Sequence, residues 1–444
     1  MWLLAHGIGS RSDLPVPLWL AQYGGAAALV ISFVVLVAFW RLPRFEDPDA
    51  GRPLPDALQR LVDAPATRLL LRLLGLAMGA AVILVAVLGP ASPGANPAPT
   101  WLYVWFWVGL VPASLLLGPV WRALNPLRTL TMVISRVAGD RDAELARPLP
   151  AGLGYWPAVA GLLAFVWLEL VYQNAALPMT VAWFLLAYAA ANLFAGALYG
   201  PAWHDRCDAF EVYSTLIGHL APFGRRGDGR LVLRNPLRGL SSIDQAPGLV
   251  VFVCALLGST AFDGLTRTQL WTNLTVTAGP LANALIGTAG LLAMVALIYG
   301  VYVTAVRASS RYLPRAQRQQ RDQLEGRFVA SLLPIAVGYT IAHYFSLFLF
   351  QGQAGYILAS DPFGSGWDLF GTADWRIAYT IVSTATIALV QVAAIVTGHV
   401  LGVVVAHDRA MATFSGKSKT DAQYPLLVVM VTYTTIGIAL LVGA

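Results

Sequence analysis

Glu169, Asp263 and His343 stand inside long apolar stretches of this chain, each toward the expected outer end of its own stretch. A charge in hydrocarbon costs at least about 2.5 kcal/mol, so ionisable residues retained there face a cavity, a partner or a metal. Two carboxylates and an imidazole suit a divalent ion such as zinc, iron or copper, through carboxylate oxygens and a neutral ring nitrogen. The same set suits proton transfer, because imidazole titrates near neutrality and burial raises a carboxyl toward that range. Tyr344 is a candidate orienting donor beside His343, and His6 on the N-terminal segment is a further candidate metal ligand. A structural alternative has both carboxylates snorkelling to the interface while His343 bonds a backbone carbonyl.

A second group, expected at the inner face, contains His204, Asp208 and Glu211, with His399, His407 and Asp408 at the end of a later apolar stretch. His204, Asp208 and Glu211 recur at i, i+4 and i+7, one stripe of a helix, which is compatible with metal ligation. An amphipathic helix on a membrane surface carries such a polar stripe too, with Arg206 and Arg409 as ready ion-pair partners. His399, between Gly398 and Gly402, sits on a close-packing face and could mark the far end of a polar path from His343, with Gln391 and Thr432 to Thr435 between.

The elements that must position these residues are transmembrane helices. The chain is 57% hydrophobic and 12% charged, far from the roughly one quarter charged of soluble domains. Ten stretches are each near the roughly 20 apolar residues that span hydrocarbon: 18–40, 69–89, 101–120, 153–172, 179–200, 248–264, 281–306, 328–351, 377–406 and 425–443. With the N-terminus outside, 24 of the 29 Lys and Arg residues fall in inner segments, which is the positive-inside pattern. The expected fold is therefore an all-α, polytopic transmembrane bundle of about ten spans, with both termini outside the cytoplasm. The net charge of +6 is then a topology signal, and no nucleic-acid partner is needed to explain it.

Residues 1–444 read as a single integral membrane domain. The longest inner loop, 201–247, begins as an amphipathic helix and then breaks at Pro222 and Gly224 into a hairpin-like turn. Residues 352–376 read as an outer capping loop rich in turn formers, aromatics and acids. Asn125-Pro126-Leu127-Arg128 recurs as Asn235-Pro236-Leu237-Arg238, either a weak internal duplication or two ordinary Asn-Pro helix stops. Gly75 with Gly79 and Gly398 with Gly402 are small-residue pairs that let helices approach closely. The sequence contains no G-x-S-x-G elbow, phosphate-binding G-x-x-x-x-G-K-[ST] loop, H-E-x-x-H or C-x-x-C motif.

Several strings carry a resemblance: Ala5-His6-Gly7, Leu257-Gly258-Ser259-Thr260-Ala261-Phe262-Asp263-Gly264, Ala342-His343-Tyr344, Ser360-Asp361-Pro362-Phe363-Gly364, Gly398-His399-Val400 and Ala406-His407-Asp408-Arg409-Ala410. Over nearly its whole length the chain resembles a bacterial multi-pass membrane family commonly labelled fenitrothion hydrolase. That resemblance implies metal-dependent phosphotriester hydrolysis in the bacterial cytoplasmic (inner) membrane. Glu169, Asp263 and His343 would then supply the ligands or base for a metal-bound water, acting on a small molecule from the outer face. If an upstream leader is cut after Ala5, His6 adds a terminal amine and an imidazole suited to copper. The alternatives are a proton-coupled secondary transporter and a membrane assembly partner without catalysis.

Overall fold

The computed structural model describes residues 17–47, 49–139, 146–313, 323–416 and 418–442. Its helices of ten residues or more are α1 (Leu18–Phe39), α2 (Pro65–Leu88), α3 (Ala98–Leu117), α4 (Pro126–Val137), α5 (Trp156–Leu170), α6 (Pro178–Tyr199), α7 (Ala209–Gly218), α8 (Leu249–Thr266), α9 (Pro280–Ser310), α10 (Leu332–Leu358), α11 (Thr384–Thr413) and α12 (Tyr424–Val442). Among the described residues nine helices are long and apolar enough to cross a membrane, all of these except α4, α5 and α7, and they identify a membrane protein. The stretch 153–172, expected to span, forms only the 15-residue α5. That is about 22 Å of helix, short of a hydrocarbon layer of about 30 Å. Pro157 sits in its first turn, and the polar run Tyr172-Gln173-Asn174 lies just beyond its end.

The fold divides into two compact units. The first is made of the described residues of Met1–Pro48, Leu237–Ser346 and Thr380–Ala444; the second is Asp49–Pro236 with Leu347–Tyr379. In the first unit α8 packs along α9, and α1 packs on both α11 and α12. The pair Gly398 and Gly402 serves close packing: a Cβ on Gly398 would stand 2.6 Å from the Pro334 carbonyl oxygen, and one on Gly402 2.8 Å from that of Ser331. His407 and Asp408 clamp residues 40–45 onto α11. The His407 ring bridges the Trp40 carbonyl oxygen and Gln423 Oε1, while Asp408 accepts from the Trp40 indole and from the Arg44 and Phe45 backbone N–H groups.

In the second unit α2 packs on α6, and α7 on α3 and α5. Gly75 touches the backbone at Leu124, whose carbonyl oxygen would lie 1.6 Å from an added Cβ. Gly75→Ala is therefore expected to destabilise the protein by about 3 kcal/mol, the cost of overpacking a site that backbone closes off. Thermal unfolding of the purified variant checks this, and an unchanged melting temperature contradicts it. The turn expected after Pro222 is a hairpin of Phe223–Arg225 and Leu231–Leu233, joined antiparallel by Arg52–Pro53 as an outer strand. Beside it the Arg225 guanidinium, with Arg68 and Gln59, holds the Asp63 carboxyl down to about 2.

Two loop expectations change. Residues 352–358 continue α10, so the turn-rich segment starts at Ala359; there Asp361 accepts the Ser365 and Gly366 N–H groups and Ser360 bonds Thr372. The amphipathic surface helix expected at the start of 201–247 is instead the short helix Pro201–Arg206 followed by α7, and in α7 every residue but Thr215 is buried.

Candidate functional site

Two buried polar systems, one in each unit, hold Asp263, His343 and His399 in the first and His204, Asp208 and Glu211 in the second. In the first unit, Asp263 lies one turn from the end of α8 and His343 near the middle of α10. Their side chains meet, with His343 Nε2 2.5 Å from Asp263 Oδ2. Arg267, one turn beyond Asp263, donates from Nη2 to Asp263 Oδ1 at 3.1 Å. Tyr344 packs its ring edge-on to His343 at 4.8 Å between centroids.

The carboxylate accepts the Nε2–H of His343, so Nδ1 carries the lone pair, and this nitrogen is buried with no hydrogen-bond partner among the described residues. Tyr339, one turn earlier on α10, lies parallel to the His343 ring at 6.2 Å. Tyr433 of α12 follows at 6.3 Å from Tyr339, and His399 of α11 at 5.7 Å from Tyr433. His399 donates Nδ1–H to the Ile395 carbonyl oxygen at 2.8 Å, which leaves Nε2 as its acceptor. Tyr339 Oη, His399 Nε2, Gln391 Oε1 and Ser346 Oγ are likewise buried without a partner among the described residues. Buried polar atoms are nearly always paired, so a run of bare ones on contiguous rings requires an explanation. Of the expected path, Tyr433 is the member that bridges, whereas Thr434 and Thr435 bond carbonyls of their own helix.

Glu169, expected beside this pair, lies at the end of α5 in the second unit, and His6 lies outside the described residues. Among the described residues no third carboxylate, histidine or cysteine joins Asp263 and His343 in a metal-sized group. A cation there would also compete with Arg267 for Asp263. The i, i+4 spacing of Asp263 and Arg267 is a helix-pair signal that the sequence carries.

The second system is built around Asp208, which caps the N-terminus of α7 by accepting the Phe210 and Glu211 N–H groups. The chain turns at Cys207, so His204 and Glu211 come from different helices. Asp208 Oδ1 also accepts the Tyr188 hydroxyl at 2.8 Å, and Oδ2 lies 2.9 Å from Asn125 Nδ2 and 3.4 Å from His204 Nδ1. The Arg128 guanidinium spans both oxygens of Glu211 and reaches Asp205 at 2.6 Å. Asn125 caps α4 through Oδ1, so this Asn-Pro pair starts a helix as well as stopping one. The second copy of the string opens the 3-10 turn Pro236–Ser242 instead.

The stripe expected to be solvated is thus enclosed: His204, Asp208 and Glu211 are each at most 1% exposed. Tyr188 lies eleven residues before the end of α6, about 16 Å along its axis, so the system sits near the middle of that helix. His204, Asp208 and Glu211 offer ligand atoms within 4.8 Å of one another, a spacing that a metal ion can accept. The donor chemistry fits less well, because Arg128 already supplies the positive charge and its fork takes both Glu211 oxygens. His399, His407 and Asp408, grouped with these residues in the sequence reading, belong to the first unit.

These features define an all-α membrane protein with two buried polar systems, one closed by its own hydrogen bonds and one left open. Comparison with protein families, with curated proteins and with solved structures finds no match to the chain.

Proposed function

We propose that the protein is a proton-coupled carrier of the bacterial cytoplasmic membrane and that its first unit moves protons between His343 and His399. The observation that carries this reading is the run of bare acceptor and hydroxyl atoms on His343, Tyr339 and His399, linked through ring contacts by Tyr433. Asp263 orients His343 through Nε2–H and balances the imidazolium formed when Nδ1 takes a proton. Arg267 balances Asp263 while His343 is neutral. Tyr339 and Tyr433 then pass the proton by exchanging hydroxyl hydrogens, and single bridging waters close steps too long for a direct hydrogen bond. His399 receives it at Nε2 while Nδ1–H stays on Ile395. Arg267 stands at the end of α8 and His399 near the middle of α11, so the relay runs from a helix end toward a helix middle.

Metal-dependent hydrolysis is the second reading, favoured by the 4.8 Å grouping of His204, Asp208 and Glu211 and opposed by Arg128. The relay is tested by a pH jump on proteoliposomes adsorbed to a solid-supported membrane, which records charge displacement without knowledge of the substrate. His343→Ala is expected to reduce the transient about tenfold or more, the scale of a positioned proton-transfer group. A transient of wild-type size in that variant sinks the proposal.

A further inference from the structure

A cavity of about 320 Å³ opens in the second unit among α2, α3 and α6. Its wall is almost wholly apolar and strongly aromatic, with Trp101, Trp105, Phe106, Trp121 and Phe210. Polar side chains reach it at Asn125, Tyr188 and Asp208. All three are already satisfied. Asn125 gives its amide hydrogens to Asp208 and Glu211, at 2.9 and 2.8 Å. The Tyr188 hydroxyl donates to Asp208 and accepts the Ala209 N–H, while Asp208 accepts from side chains and backbone on both oxygens.

The consequence is a cavity whose Asn125, Tyr188 and Asp208 side chains offer a ligand no unmet hydrogen bond. Water gains little in such a space, and engineered apolar cavities stay dry and take up small aromatic molecules instead. A charged ligand would lose its hydration against an almost wholly apolar wall, and the one carboxylate that reaches the cavity, Asp208, already accepts hydrogen bonds on both oxygens. The rings supply both faces and edges: Trp101 and Trp105 stack at 6.3 Å, and Phe106 meets Trp121 at 4.5 Å and 58°. Aromatic partners prefer these offset and tilted arrangements. Met78 and Trp105, both on the cavity wall, are also exposed on the apolar surface of α2 and α3, where lipid has access.

We propose that this cavity is a binding site for an uncharged lipophilic small molecule bearing an aromatic ring, which enters from the bilayer. The site is separate from the proton relay, and its test does not depend on transport. Protein in lipid nanodiscs is melted with biphenyl, with biphenyl-4-carboxylate, with a biphenyl ammonium and with oleate. Biphenyl is expected to raise the melting temperature of the wild type by about 3 °C or more and that of the cavity-filling variant Ala189→Trp by less than about 1 °C. The charged analogues are expected to give no shift. An equal biphenyl shift in Ala189→Trp overturns the proposal, and so does stabilisation by oleate alone, which makes the cavity an acyl-chain site. A biphenyl diazirine photolabel gives a second readout on unmodified protein. Adducts at residues 78–83 and 101–106 that excess biphenyl suppresses support the site, and adducts confined elsewhere overturn it.

Discussion

Asp263→Asn is expected to keep the helices in place and to lose both the charge-displacement signal and part of the stability. The substitution is nearly isosteric, and an amide oxygen can still accept the Nε2–H of His343 at the position that Oδ2 now holds. What disappears is the negative charge. Arg267, with its side chain 23% exposed, loses the ion pair with Asp263, and the imidazolium needed for proton uptake loses the carboxylate charge at Nε2. Removing one member of a fully buried pair costs about 3–5 kcal/mol, and the residual exposure of Arg267 lowers the expectation here to about 2 kcal/mol. An opposite charge in contact, even at an effective dielectric of about 20, contributes more than the roughly 1.4 kcal/mol that separates a tenfold change, so the pH-jump transient should fall at least tenfold. Arg267→Gln separates the two roles. It removes the guanidinium from Asp263 and leaves the carboxylate beside His343, and the transient should persist. A transient lost equally in both variants would mean that the charge cluster holds the fold and does not conduct.

The parts of this architecture that follow from length and composition were legible in the sequence. Apolar runs near 20 residues become long helices because the backbone must satisfy its own hydrogen bonds in lipid. The stretch 153–172 departed from that rule because composition alone does not show where α5 stops. The Asp263 and His343 pairing could be anticipated from their similar depth, a criterion that Glu169, which belongs to the other unit, met as well. Tyr433 falls within the run expected between His343 and His399, whereas Tyr339 was not legible, because an aromatic residue in an apolar span reads as packing until its neighbours are known.

Burial of the stripe at Asp208 and Glu211 was not legible, for a related reason. An acidic residue in a helix looks surface-exposed unless its partners are in view, and here the partners Asn125 and Arg128 come from about eighty residues earlier. The repeated Asn-Pro-Leu-Arg string flagged those two residues without revealing what they hold. One copy caps a helix and closes a charge network; the other opens a 3-10 turn.

Arg128→Met should be the most damaging single substitution in the second unit. Arg128 is 11% exposed and forks both oxygens of Glu211, itself 1% exposed, while also reaching Asp205. Without it Glu211 retains the Asn125 amide but no cation, and Asp208 lies close by with a second carboxylate. The expected loss is about 3–5 kcal/mol, seen as a lower melting temperature and a reduced yield of folded protein. Arg128→Lys restores the charge but not the planar fork, so it should recover only part of that loss. The double variant Arg128→Met with Glu211→Gln should be more stable than Arg128→Met alone, because the stranded carboxylate is gone; a double-mutant cycle measures the coupling. Zinc discriminates between the two roles of this site. With Arg128 removed, His204, Asp208 and Glu211 retain ligand atoms within 4.8 Å and no competing cation, so added zinc should raise the melting temperature of the variant. Stabilisation of the wild type to the same extent would show that Arg128 does not exclude a metal and would return the hydrolase reading to this network.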